Sequence, residues 1–179
     1  MHAQRNLATF AKTEDEAAAA YMQAWQLWKA LALEAPHAAQ LGADLSGEIA
    51  GWLLGNERWA DLSAFLDELK AAPRYAPLLE KDRTLHAQAA AAVHTGDFAT
   101  AILILRHHCF PTYGHMRGPL IQLWHESQRL KERAAKGGRE LTRAEKLALR
   151  KRFRCDGDTS TGTLDGPCVC GPPNLGYAY

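Results

Sequence analysis

In "GWLLGNERWADLSAFLDELK" the apolar residues Trp52, Trp59, Leu62, Phe65, Leu66 and Leu69 recur at intervals of three and four. That spacing lines one side of an α-helix, whereas a strand would alternate with period two. Two further stretches read alike, "NLATFAKTEDEAAAAYMQAWQLW" and "AQAAAAVHTGDFATAILIL". Each is an apolar helical run, a short polar turn and a second apolar run. The turns fall near Glu14, Asn56 and Gly96, a period of roughly 40 residues, within the range of helical-hairpin repeats. Thr13 with Glu16 and Thr142 with Glu145 have the spacing of capping boxes, and Pro36, Pro73, Pro77 and the Gly137–Gly138 pair mark breaks between helices. Nothing before residue 150 alternates usefully with period two. The pattern predicts an all-α chain of stacked antiparallel helix hairpins over residues 1–128. A basic helical segment, 129–154, would pack on the stack through Leu141, Ala144, Leu147 and Ala148. An irregular Gly/Pro/Cys-rich tail, 155–179, would complete a single domain.

The turn "TGDFATA", Thr95 to Ala101, resembles tetratricopeptide units, in which an alanine-rich first helix ends at Gly-Asp; "RNLA" with "EAAAAY" near the start is similar. The resemblance covers residues 1 to 105. It implies a tetratricopeptide-like solenoid that binds protein or peptide partners and does no chemistry. The later block, "FPTYGHMRGPLIQLWHESQRL", "GGRELTRAEKLALRKRFRCDGD" and "GPPNLGYAY", looks like the C-terminal block of large bacterial tetratricopeptide-type proteins. No functional residue follows from that likeness.

Charge changes the picture more than composition does. The 179 residues carry a net charge of only +1, but residues 129–154 alone hold 11 Lys/Arg against 3 Asp/Glu. The flanking segments are acidic, so internal neutralisation competes there with any anionic partner. Nucleic acid is one such partner, through 129–154, although no aromatic residues are interleaved to stack on bases. No apolar run is long enough to span a bilayer and no secretion signal is evident, which points to a cytoplasmic protein without membrane contact.

Cysteine and histidine supply the candidate chemistry. Cys155, Cys168 and Cys170 could take a zinc ion with His115, or with Cys109, His107 or His108, as the fourth ligand. Free thiols or a disulfide would explain the same residues. His107, His108, His115 and His125 near Cys109 and Glu126 could form an acid/base or nucleophile site, or simply cap a helix end. Asp156, Asp158 and Asp165 read as turn residues, since the loop lacks an EF-hand pattern. Trp25, Trp28, Trp52, Trp59 and Trp124 are expected in the core. Leu175, Tyr177 and Tyr179 alternate after Pro172 and Pro173, so the tail should dock in extended form against the "FPTYGHMRGPL" connection and the Trp124 helix, capping the stack.

The leading reading is a protein- or peptide-binding scaffold with no catalytic residues and no required cofactor. Its partner would meet Tyr113, Arg117, Trp124 and Tyr177. The rival is a small zinc or His/Cys enzymatic module built from residues 107–115 and the terminal cysteines. A third is the C-terminal part of a longer protein that works beside its other half.

Overall fold

The computed structural model describes residues 13–31, 38–108, 110 and 117–153. All regular structure among them is helical. The α-helices are α1 (Glu14–Leu31), α2 (Ala38–Gly55), α3 (Trp59–Ala71), α4 (Ala76–Leu79), α5 (Asp82–His94), α6 (Phe98–His107), α7 (Arg117–Ala135) and α8 (Arg143–Arg152), with a 3-10 turn at Pro73–Tyr75 before α4. The chain forms two compact units, residues 1–87 and 88–179, and the boundary falls inside α5.

In the first unit α1 packs on α2, α2 on α3, and α3 on α4. The spacing along α3 has its predicted effect: Leu62, Phe65, Leu66 and Leu69 are all buried. They meet an aromatic cluster in which Trp25 stacks on Trp28, with centroids 4.7 Å apart, and takes Phe65 edge-on at 5.3 Å and Tyr75 tilted at 5.5 Å. Burying each such side chain contributes about 1.5–3 kcal/mol, and offset or edge-to-face aromatic pairs add about 0.5–1.5 kcal/mol. Gly42 lets α2 come this close, because a Cβ there would overlap the Trp28 ring. Trp52 and Trp59, expected in the core, are only half-buried.

Local signals act where the sequence placed them. Thr13 accepts the Glu16 amide at 3.2 Å as α1 begins. Pro73 opens the 3-10 turn, and Pro77 lies in the first turn of α4, where a missing N–H removes no helical bond. Pro36 lies outside the described residues. Gly96 closes α5 with φ +83°, and Asp97 caps α6 by accepting the Thr100 amide at 3.1 Å. The Thr100 hydroxyl first, and this amide second, hold the Asp97 carboxyl below its usual range.

In the second unit α6 packs on α7 and α7 on α8. Ala101, Leu105, Phe110, Leu120 and Trp124 are buried. Gly137 and Gly138, with φ +69° and +82°, turn the chain from α7 toward α8. One expectation is overturned here. Leu141 is buried, but Ala144, Leu147 and Ala148 are exposed, and α8 buries no residue of its own. Alanines offer one methyl group each to a neighbour, so the apolar positions of α8 do not make a face that must be hidden.

Candidate functional site

The hairpin of α7 and α8 concentrates the charge of the chain, and its acidic residues determine which cations are left available. Glu145 is the most heavily engaged. Arg139 donates to both its oxygens, at 3.0 and 2.6 Å, and Lys136 donates to Oε1 at 2.7 Å. The same carboxylate accepts the Thr142 amide at 2.8 Å while the Thr142 hydroxyl accepts the Glu145 amide, completing the predicted capping box. These contacts, Arg139 first, hold its carboxyl well below the usual carboxylate range.

Glu140 pairs with Arg133 at 3.0 Å and, more loosely, with Lys146 at 3.6 Å. Glu132 pairs with Lys136 at 3.1 Å. Glu126 accepts from Arg129 through both oxygens, the Nε bond at 2.9 Å, which raises the guanidinium pKa. Every carboxylate of the hairpin is thus committed, whereas Lys131, Arg143, Arg150, Lys151 and Arg152 have no carboxylate partner among the described residues. Arg152 instead lies over the Phe153 ring, 5.1 Å from its centroid.

Between the two helices runs a cleft of about 400 Å³, lined by Gln122, His125, Gln128, Arg129, Lys146 and Arg150 among others. Glutamine amides and cationic side chains can donate to a ligand, but the Glu126 carboxylate, held by Arg129, and the Leu149 side chain also line the cleft, so its walls are mixed in character. Sequence reasoning picked out the basic segment but not the cleft. The cleft's Gln122, His125 and Gln128 come from α7, outside the charged run; of these the sequence marked only His125, with Glu126, as part of a possible acid/base cluster.

Of the residues expected to meet a partner, Trp124 is buried. Its indole N–H donates to the Phe153 carbonyl at 3.4 Å and its ring meets Phe153 edge-on at 6.3 Å. Arg117 starts α7, and its side chain lies outside what is described. Tyr113, Tyr177, His115, Cys155, Cys168 and Cys170 lie outside the described residues, as do Cys109 and the tail with its predicted docking. His107 ends α6, exposed, and His108 follows, half-buried. Among the described residues no group of three or more His, Cys, Asp or Glu side chains could hold a metal. The structure therefore describes an all-helical domain whose most distinctive surface is electrostatic.

Comparison with protein families specifies that class. Residues 43–155 match the family described as the transcriptional regulator SIX1, N-terminal SD domain. The match spans well over half of the chain, and the chain belongs to that family. Neither the curated proteins nor the solved structures contain a match.

This corrects the tetratricopeptide assignment and, with it, the helical-repeat scaffold. "TGDFATA" encodes a left-handed glycine closing one helix and an aspartate capping the next. Tight connections between helices commonly use those two devices, so the motif reports a turn and not a lineage.

Proposed function

We propose that this chain is the protein-binding part of a transcriptional regulator, joining a partner protein to a complex that controls gene expression. The family match over residues 43–155 carries this reading. The arrangement of the chain supports it: small helical units with their cores closed, and functional groups at the surface. Its place of work would then be the nucleus and not the cytoplasm. No described helix is long and apolar enough to cross a membrane.

The test is to fuse the chain to an unrelated DNA-binding module and measure transcription of a reporter carrying that module's site. A several-fold change in reporter output over the module alone is expected, abolished by a core substitution that unfolds the chain. Unchanged output from a fusion shown to be folded and nuclear would refute the reading.

A further inference from the structure

We infer that the acidic segment directly after α8, residues 155–165, folds back along the exposed face of that helix and occupies its unpaired cations. α8 carries Arg143, Lys146, Arg150, Lys151 and Arg152 against one carboxylate, Glu145, which Arg139 and Lys136 already hold. Among the described residues Arg143, Arg150, Lys151 and Arg152 have no carboxylate partner, and Lys146 reaches Glu140 only at 3.6 Å. The helix buries none of its residues, so its face is open along its whole length.

Charge and connectivity select the occupant. The acidic residues outside the described part of the chain are Glu34 and three aspartates that follow α8, Asp156, Asp158 and Asp165. Residues 155–179 contain those three and no lysine or arginine. Tethering to the end of α8 gives these carboxylates an effective concentration of about a millimolar at the helix. The reach suffices, because α8 is about 15 Å long whereas the 13 residues from Arg152 to Asp165 span up to roughly 40 Å when extended.

The apolar positions agree with this pairing. At 100° per residue Arg143, Leu147 and Arg150 fall within about 60° of one another around the helix, so a leucine that is 54% exposed sits between two arginines. The segment has the same composition with the sign reversed: Leu164 lies between Asp158 and Asp165. Exposed ion pairs are individually weak and are screened by salt, so the segment is a removable cover. An external anionic partner reaches α8 only by displacing it. None of this rests on the proposed role in transcription.

The first experiment is carbodiimide cross-linking of the full chain in dilute solution, followed by proteolysis and mass spectrometry. Amide links from Asp158 and Asp165 to Lys146 and Lys151 are expected, with Lys136 and Glu145, 2.7 Å apart, as the internal positive control. About 1 M salt should cut the yield at least about threefold. R143A/R150A should do the same, since it keeps both lysines and introduces a good helix former; circular dichroism confirms its fold. Yields unchanged by salt and by the variant would report chance encounters and overturn the inference, as would no link where the control forms. Links joining isotopically labelled to unlabelled chains would place the segment on a second copy and overturn the contact within one chain.

The second experiment measures affinity for fluorescent polyglutamate in about 50 mM salt. D156N/D158N/D165N should bind at least about fivefold more tightly than the native chain, because its cations are uncovered. E14Q/D44N/E57Q, which changes the net charge equally at exposed positions of the other unit, should gain less than about twofold. Equal gains in the two variants overturn the inference.

Discussion

Helices α3 and α8 are 13 and 10 residues long, and each is the second arm of a helical hairpin, but they are held by opposite means. α3 buries Leu62, Phe65, Leu66 and Leu69 against an aromatic cluster, and its N-cap, Arg58, makes no side-chain capping bond, its guanidinium donating instead to Asp61 in the first turn. α8 buries nothing and is secured at its ends instead. Glu145 and the Thr142 capping box fasten its start, and Phe153 meets Trp124 just past its finish. Helical periodicity alone therefore does not say how a helix is attached. Along α3 the repeating positions carry leucine and phenylalanine, enough area to drive burial. Along α8 they carry two alanines and one leucine, and charge does the fastening.

Removing a side chain from each attachment should expose this contrast. Phe65→Ala takes away a fully buried ring that meets Trp25 edge-on, and urea denaturation should show a loss of about 3–5 kcal/mol. Acid comes next. His86 is 8% exposed, and burial depresses its pKa to about 4 from an ordinary 6.5. The unfolded chain takes up that proton more readily, so the contribution is intact above pH 6.5 and is lost as pH falls toward 4, by up to about 3 kcal/mol. Stability measured across that window should decline in the native protein and flatten in His86→Gln; parallel curves would assign the decline to other groups. Thr142→Ala removes the capping hydroxyl and should cost about 1 kcal/mol, read as faster amide exchange in the first turn of α8. Smallest of all, Leu147→Ala alters a side chain that is 54% exposed and should change stability by less than about 0.5 kcal/mol. A loss resembling that at Phe65 would mean that α8 is packed after all.

Much of the fold was legible because it rests on local chemistry. The α3 face, the Gly96 and Gly137–Gly138 turns and the Thr142 capping box each follow from residues a few positions apart. The exposure of Leu147 was not legible, since that depends on what lies opposite, and periodicity describes only one partner. The division inside α5 escaped for a similar reason: no proline or glycine marks it, and the helix runs through it unbroken. For the candidate site, the excess of basic residues was visible at once. Which cations were left over was not, because that requires knowing that Glu126, Glu140 and Glu145 reach Arg129, Arg133 and Arg139. Family membership resides in the whole order of residues 43–155, which short motifs such as "TGDFATA" do not sample.

The way α8 is fastened makes it a convenient site for engineering. With Thr142 and Glu145 kept at one end and Phe153 at the other, the exposed apolar positions between them, Ala144, Leu147 and Ala148, tolerate replacement on a short helical rod. A peptide epitope, a metal-chelating histidine pair or a fluorophore placed at Leu147 or Ala148 would be displayed in a defined orientation without disturbing either core.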